Sequence, residues 1–262
     1  MPNVAFAIAA HPDDIELMMA GTLLLLGQAG YELHVMNIAN GSCGTLAESP
    51  YAIIERRREE ARDAAGVMGA HFHAPLTNDV EIFYEDKLLR RVAAIIREVR
   101  PTILLLQSPQ DYMEDHENAA RLGATAAFVR GMPNYRTDPL VDPAPADVTV
   151  YHALPWGLRG PLGETVRANR YVDISSTLAR KREALACHRS QKEWLDATQG
   201  LDRYLDTMEA MARAVGEQSQ RYAVAEGWRR RLNLGYCSEH ADPLVDALGG
   251  RAFATDENSS RQ

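Results

Sequence analysis

The sequence is poor in cysteine. Its three cysteines, Cys43, Cys187 and Cys237, are widely spaced and form no C-x-x-C pair. An odd number of isolated cysteines argues against a disulfide framework and against a zinc site built from thiolates. We therefore expect three reduced side chains that take no part in the chemistry.

The sequence also lacks a long apolar run and an excess of positive charge. The uncharged run from Leu17 to Tyr31 has 15 residues interrupted by glycines, whereas a membrane span needs roughly 18 to 20 apolar residues. With 28 Lys and Arg against 36 Asp and Glu, the net charge is −8, which disfavours nucleic-acid binding because that affinity comes mostly from phosphate neutralisation. The first residues carry no secretory or transit signal. We expect a cytoplasmic protein with no transmembrane segment and no nucleic-acid partner.

Short apolar runs alternate with helical patterns through the first half of the chain. The predicted strands are Val4–Ala10, Leu33–Ala39, His71–Pro75 and Thr102–Leu106, and the predicted helices are Ile15–Gln28, Pro50–Met68, Glu85–Val99 and Asp115–Val129. Strands without polar alternation, each followed by a helix, indicate a parallel sheet covered on both faces. The predicted fold class is α/β, doubly wound and mostly parallel.

The second half of the chain gives weaker patterns. Six of the 13 prolines lie between Pro133 and Pro161, which indicates a loop with one strand at Val148–His152. Further predicted elements are a strand at Tyr171–Asp173, helices at Ser176–Trp194 and Leu201–Tyr222, and a solvated helix end at Arg229–Arg231. We expect the loop and the C-terminal helices to cap one α/β domain over residues 1–250, followed by a polar tail over residues 251–262.

Polar residues cluster directly after the predicted strands. They are His11-Pro12-Asp13-Asp14, Asn40-Gly41-Ser42-Cys43-Gly44, Asn78-Asp79, and Asp111 through His116. Ligands of open parallel sheets bind at the carboxyl ends of the strands, and a His/Asp/His set with an open position is typical of a catalytic zinc site. One alternative is that Asp13 or Asp14 only caps the following helix, although capping does not account for His11.

These motifs carry a family resemblance. Ala10-His11-Pro12-Asp13-Asp14-Ile15-Glu16 with Ala20-Gly21-Thr22-Leu23, then Arg57-x-x-Glu60 with Ala64-Ala65 and Met68-Gly69, then Asp115-His116, resemble in this order the signatures of the PIG-L (LmbE-like) zinc-dependent N-acetylglucosaminyl de-N-acetylases. The resemblance runs from about Val4 to Phe128. It implies a Rossmann-like topology and a small-molecule amino-sugar conjugate as substrate.

The resemblance also implies roles for individual residues. His11, Asp14 and His116 correspond to the metal ligands, with zinc as the cofactor and Fe²⁺ as another divalent candidate, and Asp13 corresponds to the general base. Arg57 and Asp79 correspond to substrate-binding residues. The residues alone leave two alternatives open, a local Arg57–Glu60 ion pair and an Asx-turn at Asp79.

Met113 departs from the family pattern, which commonly has a histidine three residues before the last ligand. A thioether cannot assist the oxyanion or the leaving amine, so either another donor fills this role, or turnover is slow, or the enzyme serves a different amide. Tyr112 and His188 are candidate catalytic residues, and His152 is a candidate that also suits substrate binding. For His188, packing on a helix face is an equal alternative. His34, His71 and His73 lie within predicted strands, and we interpret them as structural.

The leading hypothesis is a zinc-dependent amidohydrolase that removes an N-acetyl group from an N-acetylglucosamine-type amino sugar or conjugate. The alternative is a metal-dependent sugar-binding protein of the same fold, because Met113 replaces the family histidine. A nucleotide-binding α/β protein is disfavoured because the sequence has no G-x-G-x-x-G fingerprint at the first strand. The sequence leaves a homo-oligomer open.

Overall fold

The computed structural model describes residues 3–199 and 204–255. In this part of the chain the strands are β1 Val4–Ala9, β2 Glu32–Asn37, β3 His71–His73, β4 Ile103–Leu106, β5 Thr149–Ala153, β6 Arg170–Asp173, β7 Ala225–Arg230 and β8 Ala252–Ala254. The α-helices are α1 Asp14–Met18, α2 Ala20–Gln28, α3 Pro50–Met68, α4 Asp86–Val99, α5 Glu114–Val129, α6 Leu178–Leu185, α7 Arg189–Gln199, α8 Tyr204–Ser219 and α9 Pro243–Leu248. None of these helices is long and apolar enough to cross a membrane.

All of these strands form one sheet in the order β3-β2-β1-β4-β5-β7-β6-β8. The first five run parallel, and their 3-2-1-4-5 order is that of a Rossmann-like sheet. β7, β6 and β8 extend the sheet with antiparallel pairing. The predicted mostly parallel α/β sheet is confirmed.

Alternate residues of β1 pack into two different apolar clusters. Ala7 contributes to a cluster that contains Leu23 of α2, whereas Ile8 contributes to a cluster that contains Val92 of α4 and Leu122 of α5. Successive side chains of a strand point to opposite faces, so helices cover both faces of the sheet. This covering leaves the loops at the carboxyl ends of the parallel strands to form the site.

The helix α3, which carries Arg57, has the predicted boundaries. Its first turn is capped by Ser49, whose hydroxyl accepts a hydrogen bond from the Ala52 amide at 3.3 Å, and Pro50 occupies the first helical position. It ends at Gly69, whose φ of 70° suits a residue without a Cβ. Local capping residues therefore fix both ends of this helix.

Two predicted helices are interrupted in the structure. The segment Ile15–Gln28 forms α1 and α2 with a break at Met19, and the segment Ser176–Trp194 forms α6 and α7 with residues 186–188 between them. Helical periodicity alone does not reveal these two breaks. The helix predicted at Leu201–Tyr222 is observed from Tyr204 to Ser219, and residues 201–203 lie outside the described residues.

Two strands were missed, and the helix predicted at Arg229–Arg231 is wrong. Arg229 and Arg230 belong to β7, which lies between β5 and β6; strand pairing from both sides overrides a weak local pattern. β8 pairs with β6, so the sheet extends into the segment predicted as a polar tail. Residues 256–262 lie outside the described residues, and a single domain over residues 1–250 stays a prediction.

A buried carboxylate of β7 fixes the start of α2. Glu226 accepts hydrogen bonds from the amides of Gly21 at 2.8 Å and Thr22 at 2.7 Å. It also accepts one from the Lys181 ammonium at 2.6 Å, and both charged residues are buried. This anchor connects β7 to the first turn of α2 and to α6.

Candidate active site

The three predicted metal ligands converge at the carboxyl ends of β1 and β4. His11 follows β1, Asp14 is the first residue of α1, and His116 lies in the first turn of α5. One ligand atom from each lies within 4.8 Å of the others. The fold thus gathers a nitrogen, oxygen and nitrogen donor set from two separate sequence motifs.

A carboxylate that the sequence analysis gave no role orients His116. The Nδ1 atom of His116 donates a hydrogen bond to Asp111 at 2.9 Å, while Nε2 faces Asp14 Oδ1 at 3.5 Å. Asp111 lies in the loop between β4 and α5 and is buried. Its hydrogen bond directs one lone pair of the imidazole toward the ligand cluster, as partners of metal-binding histidines commonly do.

His11 is held in the same way by Asp115. Its Nε2 atom donates to Asp115 Oδ2 at 2.9 Å, and its Nδ1 atom lies 3.5 Å from Asp14 Oδ2. Asp115 also accepts a hydrogen bond from the Val80 amide at 2.7 Å. The only sequence signal for this role is that Asp115 adjoins His116.

The electrostatics of this cluster favour a bound cation. Burial lowers the pKa of His11, but the hydrogen bond to Asp115 and the charge of Asp14 outweigh it and raise that pKa to about 10. Burial opposes ionisation of Asp14, yet His116 and His11 hold its pKa well below the usual range. Two imidazoles and a carboxylate, supported by two further carboxylates, fit a borderline divalent ion such as zinc.

Asp13 lies beside this cluster in an unusual backbone conformation. Its φ is 107°, a left-handed value that costs a non-glycine residue about 1 to 3 kcal/mol and is concentrated at functional sites. Its side chain makes no capping hydrogen bond to α1, so the capping alternative is wrong for this residue. Burial, followed by the charge of Asp14, raises its pKa to about 6.

The side-chain partners of Asp13 are Tyr204 and Arg57. The Tyr204 hydroxyl donates a hydrogen bond to Asp13 Oδ2, and an Arg57 terminal nitrogen lies 3.8 Å from Asp13 Oδ1. Tyr204 lines the cavity, and the sequence analysis missed it as a candidate site residue. It lies 191 residues after Asp13, in α8, and belongs to no motif that would have identified it.

Arg57 reaches the site from α3 and does not form the local ion pair left open above. Its guanidinium donates to the Pro12 carbonyl at 2.6 Å, whereas Glu60 accepts a hydrogen bond from the Ser190 amide at 3.0 Å. Gly41 makes room for Arg57, since a Cβ on this residue would lie 2.4 Å from the Arg57 Cδ. The motif thus connects α3 to the loop between β1 and α1, which contains Pro12, and to α7.

Asp79 holds the loop that follows β2. Its two carboxylate oxygens accept hydrogen bonds from the amides of Gly41 at 2.7 Å and Cys43 at 2.9 Å. These bonds cross between two loops, so they are not an Asx-turn. Asp79 also lines the cavity described next.

A cavity of about 360 Å³ opens over the ligand cluster. Its polar lining includes His11, Asp13, Asp14, Arg57, Asp79, Gln107, Asp111, Tyr112, His116, Gln191 and Tyr204, and its apolar lining includes Leu17, Met18, Met113, Leu154, Trp156, Trp194 and Leu195. Among the described residues the lining therefore has four aspartates and a single arginine. The cavity suits a small, uncharged or cationic molecule with one polar and one apolar face.

The three candidates to replace the family histidine lie in different surroundings. Tyr112 lines the cavity, and its ring packs edge-on against His116 with centroids 5.6 Å apart. His152 and His188 are not among the described residues that line it. The structure therefore brings only Tyr112 to the ligand cluster.

His152 and His188 are both buried behind the cavity. His152 donates from Nδ1 to the Gln107 carbonyl at 2.8 Å, and its Nε2 lies 3.3 Å from Arg231. His188 Nε2 lies 3.2 Å from Glu16; burial opposes its protonation, but the charges of Glu16 and Asp13 raise its pKa. Neither imidazole lines the cavity, and a contact of His152 or His188 with the substrate or leaving group stays a prediction.

Comparisons with known proteins agree with this geometry. Residues 6–127 match the PIG-L family, described as GlcNAc-PI de-N-acetylase. Diacetylchitobiose deacetylase of Thermococcus kodakarensis is 29% identical over 193 residues, which is 70% of this chain and 68% of that protein. 4-Oxalmesaconate hydratase of Pseudomonas putida is 27% identical over 196 residues, 72% of this chain and 74% of that protein.

A solved structure extends the similarity beyond the motifs. The N,N'-diacetylchitobiose deacetylase of Pyrococcus horikoshii superposes with a TM-score of 0.75 at 23% identity, covering 93% of this chain and 88% of that one. The fold and the site define an α/β protein with a candidate cation centre at the ends of its parallel strands. The match of residues 6–127 to the PIG-L family model confirms the resemblance of the motifs in this part of the chain.

Proposed function

We propose that this protein is a zinc-dependent hydrolase that removes the N-acetyl group from an N-acetylglucosamine-type amino sugar or conjugate. The observation that carries the proposal is the buried Asp13 beside the set of His11, Asp14 and His116. A site that only binds sugar has no use for a second carboxylate that is not a ligand. The deacetylase relative named above supports the same reaction class.

His11, Asp14 and His116 would hold the divalent cation, with zinc as the first candidate and Fe²⁺ as the second. When bound, such an ion polarises the amide carbonyl and makes water a stronger acid. Asp111 and Asp115 fix the two imidazole rings, so these five side chains form the cation site. The remaining chemistry falls to groups in the cavity.

Asp13 acts as the general base in this proposal. A base is most effective when its pKa lies close to the working pH, and the pKa of about 6 leaves Asp13 mostly ionised at neutral pH. Tyr204 and Arg57 keep its carboxylate in place. Asp13 takes a proton from the attacking water.

The departing amine needs a proton that Met113 cannot supply. We expect Asp13 to deliver to the amine nitrogen the proton that it took from water, which balances the reaction without another acid. Tyr112 lines the cavity, and we expect its hydroxyl to donate a hydrogen bond to the amide oxygen. The pKa of Tyr112 is raised by burial and by the charge of Asp14, so the hydroxyl keeps its proton.

The cavity lining favours an amino sugar over the substrate of the hydratase relative. An oxalmesaconate carries several carboxylates, so its binding calls for cationic side chains in addition to the bound cation. The described lining offers Arg57, which is already engaged by Pro12 and Asp13, together with four aspartates. An uncharged acetamido sugar fits this surface, and the apolar wall accommodates a sugar face or an aglycone.

Acetate release from N,N'-diacetylchitobiose and other N-acetylglucosamine conjugates tests the proposal. The zinc-loaded protein should release acetate, and Asp13→Asn should keep its zinc while losing about 10²- to 10⁴-fold in rate. Asp63→Asn, which removes the same charge from an exposed position of α3, serves as the matched control. Saturable sugar binding without acetate release would instead support the binding-protein alternative.

A further inference from the structure

A second group of imidazoles lies at the opposite end of the strands from the active site. Glu32 and His34 belong to β2, and His71 and His73 belong to the neighbouring edge strand β3. His34 pairs with His71 in the parallel register. Side chains two residues apart share a face of a strand, so all four lie on one face of the sheet. Three of the chain's eight histidines meet here.

The distances within this group match those around a tetrahedral ion. Glu32 Oε1 lies 3.2 Å from His34 Nε2 and 3.4 Å from His71 Nε2, and one ligand atom from each of the three residues lies within 4.8 Å of the others. Zinc bonds of about 2.0 to 2.1 Å place neighbouring tetrahedral ligands about 3.3 Å apart. Two of the three distances between the ligand atoms therefore already have this length.

His73 orients His34 in the same way as Asp111 and Asp115 orient the imidazoles of the active site. His34 Nδ1 lies 2.9 Å from His73 Nε2 in a hydrogen bond, which leaves His34 Nε2 directed at Glu32. The ring of Phe6, which is fully buried, forms the floor, with centroids 5.1 Å from His73 and 6.1 Å from His34. A hydrogen-bonded second nitrogen and a rigid apolar floor are features of built metal sites.

We propose that Glu32, His34 and His71 form a second binding site for a divalent transition-metal ion of the zinc class, with His73 as a positioning residue. Two imidazoles and one carboxylate suit zinc, nickel or copper rather than magnesium or calcium. The side chain of His71 is 67% exposed, so solvent completes the coordination. Glu32 and His71 are the first residues of β2 and β3, and a shared ion there ties the three-residue edge strand to the sheet.

Zinc stoichiometry of the chelator-treated, refilled protein tests this site. We expect His71→Gln to bind about one zinc ion fewer per chain than the wild type at saturation. His71 is exposed, and circular dichroism checks that the variant is folded. His240→Gln, at another exposed position, is the matched control and should bind as much zinc as the wild type. The test compares the zinc content of His71→Gln with that of the wild type, so the result does not depend on whether the active site binds zinc.

A second pair of variants separates this site from the active site. His116→Ala should still bind the zinc ion that His71→Gln loses, whereas His73→Phe should weaken that ion's affinity by about 10- to 100-fold, the usual effect of an outer partner. Equal zinc content in His71→Gln and the wild type would overturn the proposal. The proposal would also be overturned if His73→Phe and His34→Gln both left the zinc affinity of this site unchanged.

Discussion

Asp111 offers the sharpest test of how the active site holds its ion. Its carboxylate accepts the Nδ1 hydrogen bond of His116 at 2.9 Å and is buried. Removal of an outer partner of a metal-binding histidine lowers metal affinity by about 10- to 100-fold, which corresponds to about 1.4 to 2.8 kcal/mol. Asp111→Asn keeps an oxygen acceptor and loses only the charge, so we expect it near the lower value. Asp111→Ala loses both and should lie near the upper value.

The measurement is competition for zinc against a chromophoric chelator at fixed pH and salt. Both variants are made in the His71→Gln background, so that the second proposed site does not contribute to the titration. Glu114→Gln, which removes a charge from an exposed neighbouring position, is the control for the change in net charge. Zinc affinity in Asp111→Ala within about twofold of its background would refute the reasoning, because a freely rotating His116 ring must bind more weakly.

Three further predictions concern buried polar groups. Tyr204→Phe should lower kcat about tenfold or more with little change in KM, because a hydrogen bond to the charged Asp13 is worth about 1.5 to 3 kcal/mol. Steady-state kinetics measure this effect, and an unchanged Tm shows that it does not come from misfolding. The pKa of His152 is lowered from 6.5 to about 4, mainly by burial. His152 is therefore protonated in the unfolded chain at a higher pH than in the folded protein, and up to about 3 kcal/mol of folding stability is lost as the pH falls from 6.5 to 4. The urea midpoint should fall less over this pH range in His152→Gln than in the wild type. Lys181→Met should cost about 3 to 5 kcal/mol of unfolding free energy, because it leaves Glu226 buried and unpaired, and the double variant with Glu226→Gln should recover part of it.

Much of the parallel half of the fold could be predicted from local patterns. The run at Val4 predicts β1, and Ser49, Pro50 and Gly69 mark the ends of α3, because caps and strand periodicity act over a few neighbouring residues. β7 could not be predicted in the same way. Its side chains do not alternate clearly, and it is a strand because β5 and β6 supply hydrogen bonds on either side.

The same division applies to the candidate site. His11, Asp13, Asp14 and His116 were predicted because their chemistry is concentrated in two short motifs at strand ends. Tyr204 could not be predicted, since a tyrosine in an amphipathic helix is compatible with a packing role until α8 is placed over Asp13.

The sequence by itself determined the α/β class and the alternation of strands and helices in its first half, because these depend on residue type and spacing within short segments. The family resemblance of the motifs supplied the three candidate ligands. Only the tertiary structure decided which groups face one another across long stretches of chain. It directed His152 and His188 to protein partners rather than to the cavity, and it joined β2 and β3 so that His34 meets His71 and His73. Side-chain contacts between distant segments follow from helix packing and strand register, and neither is encoded in a local window of residues.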